Sequence, residues 1–211
     1  MRTIFDETVA TYQNAGAARA FVEKEVQHQD GRNAAYYELL HGLHLEGMRV
    51  LDIGCGHGRD VQYFRSHGAS AYGCDVSPEL LALADEDVRP FLQAHDFRSS
   101  ESLPFGGYYD LIWCCAVLVH LPRIELADFL KKVWHDIKPG GHLALITKHG
   151  SGQMVARNLG ENLPRVMVFY TVDEIMDVLK PLGAEVEVET PALTTTAYGE
   201  QVLGIRVKKL A

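Results

Sequence analysis

The sequence predicts an α/β fold built on a mostly parallel sheet, and three observations carry that prediction. Val50-Leu51-Asp52-Ile53 is a short apolar run, followed by glycines at alternate positions (Gly54, Gly56, Gly58) and then by Val61, Tyr63 and Phe64 at helical spacing. Strand, glycine turn and helix make the first unit of a nucleotide-binding sheet. Further apolar runs, short enough only for buried strands, alternate with helical stretches along the chain, the order that gives parallel sheets. The 211 residues, 47% of them apolar, suffice for one domain with a full core.

In chain order, residues 6–26 read as a helix that breaks near Gly16, with Val9, Tyr12, Ala20, Phe21 and Val26 in a stripe. Residues 33–43 read as a second helix, through Tyr36, Leu39, Leu40 and Leu43. Strand one covers 49–53, and the helix over 58–67 ends at Gly68. Strand two covers 69–74. Ser77 caps a helix with Pro78 at its first position. Residues 91–94 form a third strand and 99–107 a loop of turn residues. Residues 109–115 are apolar on both faces, as a central parallel strand requires. A long helix over 121–137 stops at Pro139-Gly140-Gly141, and strand five is 142–147. Residues 148–165 have no period and suit a substrate loop or lid. Thr171 to Glu174 is a capping box opening a helix that Gly183 ends. The last strands are 184–189, with Val186 and Val188 on one face, and 201–207.

The glycine spacing selects the ligand. A dinucleotide turn is G-x-G-x-x-G; here it is G-x-G-x-G, with Arg59 where the third glycine would stand. Asp52 inside the turn would repel a pyrophosphate but suits an ammonium group. Asp75, about 20 residues on, ends the second strand, where a carboxylate accepts from both ribose hydroxyls. Cys115, Ala116 and Val117 follow the fourth strand, at the sheet edge where ligands bind.

Asp52-Ile53-Gly54-Cys55-Gly56-His57-Gly58 resembles motif I of the class I S-adenosylmethionine-dependent methyltransferases. Gly73-Cys74-Asp75-Val76-Ser77 resembles their acidic second-strand end. Tyr109 to Pro122 resembles their fourth strand, and Ile137 to Leu143 the turn before their fifth. The likeness covers roughly residues 30 to 211 and leans toward bacterial small-molecule enzymes, the tellurite-resistance type among them. It implies a Rossmann-like seven-stranded sheet with an antiparallel last strand, helices on both faces and an N-terminal helical cap (1–45) over a core (46–211).

The resemblance also implies S-adenosylmethionine as cofactor and methyl transfer to a small molecule. Asp52, Gly54, Cys55, Gly56, Asp75, Val76 and Cys115 fall at cofactor-contact positions. Asp96 falls where an acid accepts from the adenine amino group, and Phe97 where an apolar side chain meets the ring. In the family the segment before motif I is often a lid, which makes Tyr12, Arg32, Tyr36 and Tyr37 candidates to touch ligand; aromatic core packing is the alternative for each tyrosine. His57, inside the turn, is a candidate cofactor contact. His120 is the first candidate for general base, with a structural or cofactor-packing role as the alternative. His149 is the second. Lys148 and Tyr170 are candidates to border the substrate.

The net charge of −8 argues against a nucleic-acid footprint. No apolar run approaches the ~20 residues of a membrane span, and the first residues do not read as a signal peptide. A cytoplasmic monomer or homodimer is expected. The four cysteines lack C-x-x-C spacing, so they are expected to be reduced, buried and metal-free. Two alternatives stay open: a cofactor-binding regulator or partner subunit without catalysis of its own, and a methyltransferase acting on RNA or protein.

Overall fold

The computed structural model describes residues 4–27, 35–98, 102–157, 159–160, 162–194 and 201–210. Two helices, α1 (Ile4–Tyr12) and α2 (Ala15–Gln27), precede the sheet. The break expected near Gly16 in the helix over 6–26 falls earlier, at Gln13-Asn14, where the Asn14 carboxamide accepts from the Ala17 N–H at 3.0 Å, starting α2 afresh. Gly16 lies within α2. Of the helix expected over 33–43, the described part ends in the 3₁₀ turn Glu38–Leu40. Arg32 lies outside the described residues.

The sheet has seven strands. They are β1 (Arg49–Ile53), β2 (Ser70–Asp75), β3 (Leu92–Ala94), β4 (Tyr109–Cys115), β5 (Ile137–Lys148), β8 (Ala184–Thr194) and β9 (Gln201–Lys209), in the order β3-β2-β1-β4-β5-β9-β8. The first five are mutually parallel. β9 is antiparallel to both of its neighbours, so the seven-stranded sheet with its antiparallel last strand stands as expected. Between β5 and β8, β6 (Gln153–Ala156) and β7 (Arg165–Val168) form a separate antiparallel pair.

Side-chain alternation along β4 splits the core. Ile112 and Cys114 face a layer formed with Phe129, Leu130 and Val133 of α5 (Leu126–His135) and Ile175 and Leu179 of α6 (Val172–Leu179). Leu111 and Trp113 face the other layer, with Val61 and Phe64 of α3 (Arg59–Ser66). Ser77 caps α4 (Pro78–Leu81), accepting from the Leu80 N–H at 3.1 Å. The capping box at Thr171 and Glu174 forms as expected.

Three boundaries differ from expectation. Pro122 is extended (φ −62°, ψ 142°), so a 3₁₀ turn intervenes and α5 starts only at Leu126. Pro139-Gly140-Gly141 does not stop a helix; it lies inside β5, where the pairing with β4 shifts between Tyr109 and Leu111 and Gly140 takes φ 78°. In β8 a bulge between Val186 and Val188 reverses the alternation: Val186 is exposed while Val188 packs on the core.

Candidate active site

The carboxyl ends of β1, β2, β4 and β5 open into one cavity of about 250 Å³. The glycine turn after β1 forms its floor. Gly54 has φ 73°, and a Cβ there would lie 2.5 Å from Val117. At Gly56 (φ 55°) an added Cβ would meet no protein atom within 4 Å, so the backbone there faces open cleft and a ligand can lie against it. Asp75 buttresses this turn. One carboxylate oxygen accepts from Gly56 N–H at 2.9 Å and the other from Ser77 N–H at 2.8 Å. Each oxygen keeps a lone pair for a ligand. Burial pushes the Asp75 carboxyl up, and the backbone donors oppose this.

Asp52 is almost fully buried beside the turn. Burial, and then the neighbouring Asp60 charge, holds its carboxyl well above the usual range. Asp60, the second residue of α3, sits in a closed network. It accepts from Arg59 Nε at 2.8 Å and Nη2 at 2.9 Å, from the Tyr37 hydroxyl at 2.7 Å and from Trp113 Nε1 at 2.9 Å. Burial raises its carboxyl; Arg59 and these donors outweigh burial and hold it below the usual range. Arg59 reaches across to Glu25 of α2 at 2.6 Å, tying the N-terminal helices to the glycine turn.

Helix α1 roofs the cavity. Thr8 accepts from Val166 N–H at 2.8 Å and Thr11 donates to Pro164 O at 2.8 Å. On the opposite side, Ser77 donates to the Tyr12 carbonyl at 2.7 Å and Gln13 to the Val76 carbonyl at 3.1 Å. The Tyr12 ring hangs into the cleft. His120 Nδ1 lies 2.8 Å from the Val166 carbonyl, which only accepts, so Nδ1 carries the proton. Nε2 therefore accepts from the Tyr12 hydroxyl at 3.0 Å, and that hydroxyl accepts from Arg165 at 2.7 Å.

The His120 pKa falls to about 4, through burial and then the Arg165 charge. Its folded value lies below the ordinary 6.5. The neutral ring's contribution is thus present above about pH 6.5 and is lost as pH falls from there toward 4. Between pH 7 and 4, the wild type should lose about 2 kcal/mol more stability than His120→Gln, water in the cleft screening part of the full shift. Urea titrations at both pH values check this; equal losses would contradict a neutral His120.

Most of the residues singled out in the sequence converge here. Asp52, Gly54, Cys55, Gly56, Asp75 and Val76 line the cavity from one side. Asp96, Phe97 and Cys115 line it further along, as do Tyr12, His120 and Lys148. Five of the sequence candidates stand outside the lining. His149 is not among the lining residues; consecutive strand residues point to opposite faces, so Lys148 turns into the cleft while His149 reaches Gln201 at 3.4 Å. Tyr170 is fully buried and donates to Leu121 O at 2.7 Å. Tyr36 packs on the core. Tyr37 stacks on Tyr63 at 3.7 Å and holds Asp60, so it shapes the site from behind. His57 faces Glu25 at 3.5 Å instead of the cavity.

Sequence reading missed Glu25, Arg59, Asp60 and Arg165, all of which line the cavity. The acidic residue at a helix start and its adjacent Arg were visible signals; Arg165 gave none. Ala116, which the sequence puts at the ligand edge after the fourth strand, lines the cavity, and its φ of 59° places the chain just past β4 in the left-handed region, the kind of strain that collects at functional sites.

The profile of a family described as a methyltransferase domain matches residues 26–189. An uncharacterized methyltransferase of Synechocystis sp. is 33% identical over 124 residues, 56% of this chain and 58% of that protein. Magnesium-protoporphyrin O-methyltransferase of the same organism is 30% identical over 115 residues, 52% of this chain and 50% of that protein. The chain spans about half the length of these curated relatives. The crystal structure of magnesium protoporphyrin IX methyltransferase from Synechocystis PCC 6803 with bound SAM shares the fold, with a TM-score of 0.72 over 99% of this chain and 98% of that one at 19% identity. Since the family match runs through the glycine turn, Asp75, β4 and the start of β8, more than half of the sequence, the chain belongs to the methyltransferase domain family.

Proposed function

We propose that the protein transfers the methyl group of S-adenosylmethionine to a small-molecule acceptor. The observation that carries this reading is the pairing of Asp75 with the glycine turn: a buried carboxylate locked by Gly56 and Ser77 N–H groups, with lone pairs left over, beside a backbone open to ligand at Gly56. That arrangement suits a ribose and the chain bonded to it. Asp52, buried and with the Asp60 charge near it, suits the cofactor's ammonium group, whose arrival would favour its ionised form. Asp96 and Phe97 suit the adenine. The bound cofactor supplies an electrophilic methyl on a sulfonium.

The chain's own residues supply position and dryness. Helix α1 and the β6–β7 pair close over the cleft, and alignment of a nucleophile with the methyl while water is excluded supplies most of such a rate enhancement. His120 does not work alone as a base: its lone pair is engaged by Tyr12 and its pKa is low. It holds Tyr12, and Tyr12 holds Arg165.

An acceptor of small-molecule size fits a cavity of this volume, and the net charge of −8 disfavours RNA. Among the described residues no helix is long and apolar enough to cross a membrane. The four unpaired cysteines suit a cytoplasmic setting. Titration calorimetry with S-adenosylmethionine and S-adenosylhomocysteine tests the reading. Saturable binding of both is expected; a folded protein that binds neither would overturn it.

A further inference from the structure

Helix α2 sets a carboxylate over the glycine turn. Phe21 and Glu25 are four residues apart, on one face of the helix, and both line the cavity, while Glu23 and Lys24 between them are exposed. Glu25 lies in the last turn of α2, at the negative end of the helix dipole, so the helix itself gains nothing from an acid there. Its place answers to what lies across the gap. Oε1 accepts from Arg59 Nη1 at 2.6 Å. Oε2 stands 3.5 Å from His57 Nδ1, too far for a hydrogen bond, and it accepts from no other group among the described residues.

Arg59 does not exhaust that carboxylate. Its Nε and Nη2 donate to the two oxygens of Asp60, so one guanidinium serves two carboxylates and the three groups together carry a formal negative charge. Asp52 faces the same space: burial and the charges of Asp60, Asp75 and Glu25 push its carboxyl up against the pull of Arg59. Arg59 in turn keeps one Nη1 N–H without a partner among the described residues. Carboxylate oxygens beside a spare guanidinium N–H suit an ammonium and a carboxylate carried together, the terminus of an α-amino acid. A bare cation would meet Arg59, and a bare anion would meet Asp52 and Glu25. This end adjoins the ribose carboxylate: Asp75 holds Gly56 N–H, and the turn that is open to ligand at Gly56 runs on to Arg59.

Resting on the methyl-transfer reading above, we propose that Glu25 is a specificity residue for the cofactor: with Asp52 it accepts from the α-ammonium, while Arg59 donates to the α-carboxylate. The N-terminal cap thereby selects nucleosides that carry the amino-acid chain over those that lack it.

Two nucleosides test this by calorimetry. S-adenosylhomocysteine ends in an amino acid; 5′-methylthioadenosine ends at the thioether. The wild type should bind the first at least about 100-fold more tightly, the worth of charged hydrogen bonds at the amino-acid end. Glu25→Gln keeps an oxygen for Arg59 and removes the charge, at a side chain that is 26% exposed. It should weaken S-adenosylhomocysteine at least about tenfold and leave methylthioadenosine within about twofold. Glu25→Asp, with the charge on a shorter arm, should fall between wild type and Glu25→Gln. An equal loss for both nucleosides would make Glu25 a brace for Arg59 and no more, and an S-adenosylhomocysteine affinity unmoved by Glu25→Gln would exclude the contact; either overturns the proposal. So would a wild type that binds the two nucleosides alike. A folded wild type that binds neither would instead sink the cofactor reading.

Discussion

Asp60→Ala is expected to destabilise the protein by about 3–5 kcal/mol, the cost of removing one partner from a buried ion pair. The carboxylate is 3% exposed and accepts four hydrogen bonds, two from Arg59 and one each from Tyr37 and Trp113. Without it, Arg59 keeps Glu25 as its close charged partner among the described residues, and the Trp113 N–H is left buried without its acceptor, a penalty of about 1–3 kcal/mol by itself. For a chain of this length the loss corresponds to a drop in melting temperature of roughly 10 °C. Tyr37 and Trp113 donate to different oxygens of Asp60, so Asp60→Asn keeps an acceptor for one of them only and should lose less than Asp60→Ala. Urea unfolding of the three proteins measures the series. A drop below about 1 kcal/mol for the alanine variant would mean that the network adds little beyond what water could supply.

Asp75→Ala is expected to weaken S-adenosylmethionine binding at least 100-fold. Two hydrogen bonds from ribose hydroxyls to a charged acceptor, at about 1.5–3 kcal/mol each, account for a loss of that size. The substitution acts twice, because the same carboxylate fixes Gly56 N–H and Ser77 N–H: the ligand loses its acceptor and the turn loses its brace. Asp75→Asn separates the two effects, since the carboxamide oxygen can still accept from one backbone N–H. Its affinity should fall between those of wild type and Asp75→Ala. Calorimetry that found less than a fivefold change in the alanine variant would remove Asp75 from the cofactor site.

The parts of the molecule legible in the sequence were those whose signal is local. A glycine turn after an apolar run has one structural meaning, and with Asp75 it marks out one side of the cleft. Ser77 and the Thr171–Glu174 capping box declared their helices through residues three apart. What escaped depended on distant partners or on phase. Arg165 and Tyr12 meet across 153 positions of sequence, and nothing in the aperiodic stretch after β5 shows that it folds back as a β-pair. Lys148 and His149 differ by one position, yet a strand sends one into the cleft and the other away; a strand end read one residue out exchanges them. Pro139-Gly140-Gly141 reads as a helix stop on composition, and a bulge in β5 uses the same residues. Asp60 was hidden because a charged residue at a helix start is normally a solvated one.

Helix α1 carries the last consequence. It contributes Thr8, Val9 and Tyr12 to the cavity wall and is fastened to β7 on one side and to the end of β2 on the other. Any ligand that touches these side chains binds the docked helix and not the undocked one, so occupancy and docking are thermodynamically linked. At a free concentration 100 times its dissociation constant, such a ligand adds about 2.7 kcal/mol to the docked state by mass action alone. Filling the cavity and seating the first helix thereby reinforce one another.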